Sequence, residues 1–287
     1  MMKHERARLP VSLVVTDLAE HDRRVPSVAV IEPPRDGTGG LGSIVKGLVL
    51  AAGPGRRLHP LTEALPKTLL TLVDGRTILD VALANLRSVG IRDVVVVTGF
   101  AAARVEERAA DLESRHGVRL ELVFNERAAE WNNAYSLWLA RDALAGGALL
   151  VNGDTVHPRS VEEGLLAARG PDVLVAIDQE KLLGTEEMKV LLADDGTLQR
   201  ISKQIDPEGA AGEYIGVALI EAAAAGPLTA ALERTWRKDP SLYYEDGFQK
   251  LTDSGGRIHA APIGTVDWVE VDDHADLARA RELDCPY

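Results

Sequence analysis

The sequence predicts a doubly wound α/β fold: a mostly parallel, mixed sheet with helices on both faces and a small antiparallel insertion in its second half. Three observations predict it. From Lys46 onward, short apolar runs alternate with helix-length segments. Some runs are apolar throughout, Val94 to Val97 being four consecutive valines, as in strands buried on both faces. Later runs are joined by turn signals such as Asp194-Asp195-Gly196, which connect antiparallel neighbours.

In chain order, 47–51 is a short apolar strand that runs into a glycine-rich loop. Residues 76–89 have helical spacing (Ile78, Val81, Ala82, Leu86, Val89) and close at Gly90, a suitable C-cap. A strand is expected at 93–98, a helix at 101–115, a strand at 118–123, a helix at 134–145 and a strand at 148–151. The second half reads as strands at 173–177, 188–192, 198–202 and 214–220, helices at 221–237 and 242–253, a strand at 257–263 and a closing helix at 275–283. No internal repeat is present. Residues 1–45 differ: two β-like runs at 11–15 and 27–31 precede Pro33-Pro34-Arg35-Asp36-Gly37-Thr38-Gly39-Gly40. This stretch reads as a leader, a β-hairpin and linker or a contact between copies in a homo-oligomer, ahead of one domain at 46–287.

Composition narrows the function. The 287 residues carry a net charge of -12, with 46% hydrophobic and 26% charged residues, an ordinary globular balance. An acidic chain argues against a nucleic-acid partner. The lone Cys285 forms no intramolecular disulfide. No apolar run reaches the roughly 18 to 20 residues of a membrane span, and no apolar signal core follows Lys3, Arg6 and Arg8. A cytoplasmic protein without a membrane partner is expected.

The most informative stretch is Leu48-Val49-Leu50-Ala51-Ala52-Gly53-Pro54-Gly55-Arg56-Arg57-Leu58-His59-Pro60-Leu61-Thr62, followed by Pro66-Lys67. Small residues and glycines after a strand let the backbone turn and approach a ligand, and its free N–H groups form an anion-binding concavity. Arg57 can add a forked contact to phosphate and Lys67 a point charge; the bland alternative is two surface cations. Gly-Lys-Ser/Thr is missing, so this is no Walker A loop, and Leu58 stands where a dinucleotide fingerprint needs its third glycine. Downstream, Leu149-Leu150-Val151-Asn152-Gly153-Asp154 brings a carboxylate to the carboxyl end of a strand, where it can hold Mg²⁺ against phosphates. In Trp268-Val269-Glu270-Val271-Asp272, alternation places Trp268, Glu270 and Asp272 on one face.

Taken together these strings resemble the nucleotidyltransferases that make nucleotide-sugars and CDP-alcohols, over residues 46–284. The resemblance implies a Rossmann-like fold, in which the loop (Leu50, Ala51, Ala52, Gly53, Gly55) wraps the nucleotide and Arg57 and Lys67 act on the reacting phosphates. It implies Asp154 and Asp272 as ligands of Mg²⁺, with Glu270 a ligand, an acceptor contact or a solvated carboxylate. Asp273 and Asp276 are expected to cap the last helix. Trp131-Asn132-Asn133-Ala134-Tyr135-Ser136-Leu137 and Gly212-Glu213-Tyr214-Ile215-Gly216 point to a bacterial branch containing phosphocholine cytidylyltransferases. That branch implies CTP as the NTP, with Asn133 and Ser136 near the base, although Ser136 equally suits a helix cap. Lys189, Lys203 and Tyr214 are the candidates for holding a phosphorylated small-molecule acceptor. A choline-type head would need aromatic and acidic walls, for which Tyr214, Tyr243, Tyr244, Trp268, Glu186, Glu187 and Glu270 are at hand. Met188 stands where the branch has an aromatic residue, which leaves other phosphorylated alcohols, phosphonates and sugar 1-phosphates open. A catalytically silent nucleotide-binding subunit is the reading of a different class; it has no need of Arg57, Lys67, Asp154 and Asp272 together.

Overall fold

A computed structural model describes residues 45–170 and 172–283. The expectations for the leader, other than Val45, and for Cys285 lie outside the described residues.

The strands are β1 (Lys46–Ala51), β2 (Asp93–Thr98), β3 (Arg119–Phe124), β4 (Ala148–Asn152), β5 (Thr155–Val156), β6 (Val173–Asp178), β7 (Lys189–Leu192), β8 (Leu198–Ser202), β9 (Gly212–Ile220), β10 (Ile258–Pro262) and β11 (Val269–Glu270). The α-helices are α1 (Ile78–Ser88), α2 (Ala102–Glu106), α3 (Ala109–His116), α4 (Asn133–Leu139), α5 (Arg141–Leu144), α6 (Ser160–Ala167), α7 (Ala222–Lys238), α8 (Tyr244–Asp253) and α9 (His274–Glu282). The main sheet runs β10-β6-β9-β4-β1-β2-β3, with the β7–β8 hairpin attached to β9. Strands β3, β2, β1 and β4 are parallel, whereas β9 is antiparallel to both β4 and β6. This is the mixed, doubly wound sheet with a small antiparallel insertion.

The four valines show why the sheet is covered twice. Val95 and Val97 pack with Leu137, Leu144, Leu228 and Phe248 on one face, while Val94 and Val96 pack with Leu83, Leu86, Leu112 and Val161 on the other. Successive side chains of a strand point to opposite faces, so a strand between two helical layers must be apolar at every position. The chain order reverses between β4 and β2 on either side of β1, and the carboxyl ends of such strands form the crevice where open α/β sheets bind ligands.

Several elements differ from expectation. The helix expected at 101–115 is two, α2 and α3, divided at 107–108, and the one at 134–145 divides at Ala140, whose ψ of 14° bends the backbone. The two-residue ladder of β5 with β11 is too short to leave a periodic signal. It carries much of the site.

Candidate functional site

Each charged group is delivered by a local device. Gly55 adopts φ +59° and starts a 3-10 turn at Arg56–Leu58. A Cβ there would also stand 3.1 Å from that of Lys67, so a side chain is unfavourable both for the backbone and for Lys67 packing. Gly153 precedes Asp154, and a Cβ on it would come within 2.6 Å of the Leu50 carbonyl oxygen. Only glycine lets the end of β4 lie this close to β1. Asp154 O then accepts the Val271 N–H at 2.9 Å, which joins two carboxylate-bearing segments 117 residues apart in sequence. Val269 and Val271 turn into a small apolar cluster with Leu58, Ile78 and Leu277, leaving Glu270 and Asp272 toward the cleft.

Asp154, Glu270 and Asp272 each present a carboxylate oxygen within 4.8 Å of the others. Lys67 lies between two of them, its Nζ 2.7 Å from Asp154 Oδ2 and 2.9 Å from Asp272 Oδ1. Arg57 pairs with the other oxygen of Asp272. Burial works against the Lys67 ammonium, but the two aspartates outweigh it and hold its pKa above the ordinary lysine value. Burial likewise opposes the Asp272 charge, and Lys67 and Arg57 outweigh it to hold this carboxyl low. Glu270 opens onto the cleft yet lies deep within it; burial first, then the Asp154 and Asp272 charges, raises it to about 8. The helix cap expected from Asp273 and Asp276 is present at the start of α9, where the two form a capping box. Asp276 also accepts the backbone N–H of Asp272 at 3.0 Å, so the cap holds the aspartate's backbone.

Two cavities meet at this group. One, of about 300 Å³, is lined by Leu50, Ala52, Gly53, Trp131, Asn133 and Ser136 among others, and ends at Asp154 and Asp272. Ala51 turns into the core and Gly55 supports the loop from behind, so these two do not line the cleft. Ser136 is buried in the first turn of α4 and accepts from Asn125 Nδ2 at 2.8 Å. The N-cap is Asn132, not Ser136. Asn133 Oδ1 accepts the Tyr244 N–H at 2.9 Å, which leaves its amide N–H groups for the cleft. The second cavity, of about 450 Å³, lies beyond Arg57, Glu270 and Asp272 and is lined by Trp268, Lys181, Glu187, Lys203 and Glu213 among others.

The acceptor candidates divide. Lys203 borders both cavities, its Nζ 5.6 Å from the Tyr243 ring centre. Lys189 does not reach the cleft. It is wholly buried and donates to the carbonyl oxygens of Gly184, Thr185 and Glu187 at 3.0, 3.2 and 3.0 Å, which uses all three ammonium donors. It is a strut for the 184–187 segment. Tyr214 forms part of the cleft floor, but it is buried and its hydroxyl lies 3.0 Å from that of Tyr244, which donates to Asn152 Oδ1. Tyr244 itself is a core residue, whereas Tyr243 is 38% exposed. Sequence reasoning passed over Asp178, Lys181 and Glu213. Asp178 ends strand β6 as Asp154 follows β4, and that shared position was the available signal.

The nucleotidyl transferase family profile matches residues 46–170. The choline-phosphate cytidylyltransferase of Streptococcus pneumoniae is 38% identical over 101 residues, 35% of this chain and 41% of that protein. The CMP-5'-(3-aminopropyl)phosphonate synthase of Streptomyces rubellomurinus is 33% identical over 246 residues, 82% of this chain and 38% of that protein. The chain therefore spans about two-fifths of the length of these curated relatives. Among solved structures, the CTP:phosphocholine cytidylyltransferase of Streptococcus pneumoniae superposes with a TM-score of 0.67 at 25% identity, over 83% of this chain and 98% of that one. The inositol-1-phosphate CTP transferase of T. maritima shares the fold, with a TM-score of 0.71 at 22% identity over 86% of this chain and 99% of that one.

Proposed function

We propose that the chain, whose residues 46–170 match the nucleotidyl transferase family profile, is a magnesium-dependent cytidylyltransferase, transferring CMP from CTP to a small phosphorylated alcohol or phosphonate. The observation that carries the reading is the convergence of Asp154, Glu270 and Asp272 with Lys67 and Arg57 beside the glycine loop. A silent nucleotide binder has no use for that group. Cytidine is supported by the names of the relatives that resemble the chain beyond the shared core.

An acceptor phosphate oxygen attacks the α-phosphorus of CTP in line, the bond to the bridging oxygen breaks, and pyrophosphate leaves with the electron pair. The attacking oxygen is already anionic, so no general base is required, and the work is positioning and neutralisation of charge. Asn133 and Ser136 face the base, and the loop from Leu50 to Gly53 approaches the phosphates. Arg57 and Lys67 neutralise charge on the reacting phosphates, and Lys203 holds the acceptor phosphate between the two cavities. The donor set suits Mg²⁺: the oxygens are hard, they cluster, and Asp154 Oδ1 is buried with no partner among the described residues. Asp154, Asp272 and Glu270 would hold the ion, which when bound supplies further neutralisation of the phosphates. No described helix is long and apolar enough to cross a membrane; a cytoplasmic site of action belongs to the proposal.

The test is pyrophosphate release with Mg²⁺, each of the four NTPs being paired with phosphocholine, aminoethylphosphonate, inositol 1-phosphate and hexose 1-phosphates. Release with CTP and an alcohol phosphate or phosphonate is expected. Release with a hexose 1-phosphate alone would replace the acceptor by a sugar, and no release from folded protein that binds an NTP would overturn the enzymatic reading.

A further inference from the structure

The second cavity already contains a cation, and it belongs to the chain. Lys181 Nζ donates to Glu213 Oε2 at 2.8 Å, lies 3.5 Å from Glu187 Oε1, and stands 5.2 Å from the centre of the Trp268 ring. Carboxylates beside an aromatic face are the elements that recognise an ammonium group. The seat is built. Asp178 Oδ2 accepts the Trp268 indole N–H at 2.7 Å and fixes the ring, while its Oδ1 accepts the backbone N–H groups of Glu180 and Lys181 at 2.8 and 3.1 Å. One carboxylate thus aims both the aromatic wall and the lysine. Glu213 is 3% exposed on β9. Glu187 Oε2 accepts the Gly184 N–H at 2.9 Å in the segment clamped by Lys189.

A quaternary ammonium head has no N–H to donate and gains chiefly from the ring face and the carboxylates. Here it would meet a like charge already placed between them. A hydroxyl is compatible with the filled seat, since it can accept from Lys181, whose side chain is 39% exposed, and donate to Glu187. We propose that Lys181 is a specificity-determining residue: a tethered ammonium that fills the cation seat formed by Trp268, Glu187 and Glu213, and thereby selects a phosphorylated acceptor whose far end carries neutral hydroxyls. The word acceptor rests on the function proposed above; the filled seat does not.

The experiment therefore has two arms. In the first, tetramethylammonium chloride is titrated calorimetrically into the wild type, K181M and K181Q, with folding checked by circular dichroism. Both variants bind the cation at least tenfold more tightly than the wild type, and adding W268A to K181M removes the gain. K181Q retains a polar contact to the carboxylates and serves if K181M does not fold. Equal affinity in the wild type and the folded variants overturns the proposal. In the second arm, pyrophosphate release from CTP is compared for inositol 1-phosphate and phosphocholine. The wild type favours the polyol phosphate at least tenfold and K181M narrows the ratio; a wild type that prefers phosphocholine overturns the selection. If no acceptor reacts while the affinity gain is present, the enzymatic reading fails and the filled seat stands.

Discussion

One ammonium holds two aspartates at once in this site. Lys67 is the counter-ion of both Asp154 and Asp272, so its removal leaves Asp272 with Arg57 alone and takes from Asp154 the ion pair it makes among the described residues. Lys67→Ala is expected to lower pyrophosphate release by about 10²- to 10³-fold, the scale of losing one transition-state donor. Its thermal midpoint should also rise more with added Mg²⁺ than that of the wild type, because the ion would take over the neutralisation; equal shifts would show that Lys67 is not the counter-ion. Lys189 predicts the opposite pattern. Lys189→Met removes the buried donor shared by three carbonyl oxygens of the 184–187 segment, at a cost of about 1–3 kcal/mol, so its urea midpoint should fall. An unchanged midpoint would remove the strut.

Elements position these groups through contacts with no spare room. Gly153→Ala would push a methyl against the Leu50 carbonyl, and backbone cannot step aside as a flexible side chain can. A loss of about 1–3 kcal/mol is expected, together with loss of activity as Asp154 moves; a variant with normal kcat would refute the role given to the β1–β4 approach. The helix caps supply a matched pair. Thr77 and Asp80 form a capping box on α1, as Asp273 and Asp276 do on α9. Thr77→Ala and Asp273→Ala should each cost about 1 kcal/mol in urea unfolding. Only Asp273→Ala should also lower activity, because its box holds the backbone at Asp272.

For the whole molecule, a carboxyl at the start of α8 sets a pH dependence. Glu245 is buried, and burial raises its pKa from 4.5 to about 8; its Oε2 has no partner among the described residues. Between these values the folded chain keeps the proton and the unfolded chain has released it. The contribution to stability is therefore fully present below about pH 4.5 and is lost as pH rises toward 8. Glu245→Gln should remove that slope, so its urea midpoint gains on the wild type between pH 5 and pH 8, by at most a few kcal/mol. Parallel pH profiles for the two proteins would exclude Glu245 as the source.

Local pattern determined the α/β fold, the four valines of β2, the hairpin turn at Asp194-Asp195-Gly196, the glycine loop and the identity of the charged residues. These features follow from side-chain periodicity and backbone freedom over a few neighbours, and such information survives in one dimension. Tertiary structure decided which charges meet. Lys67 and Asp272 are 205 residues apart in sequence, and the β5–β11 ladder that brings the Asp272 segment beside Asp154 is too short to announce itself. It also separated two lysines of the same composition. Lys189 pairs in register with Glu213 across β7 and β9 and is buried within the sheet layer, whereas Lys203 lies just past β8 and faces the cavities. Lys181, silent in the sequence, acquired its place from a turn held by Asp178. Whether a side chain faces a ligand depends on the partner strand and on what covers it, and neither is written near the residue itself.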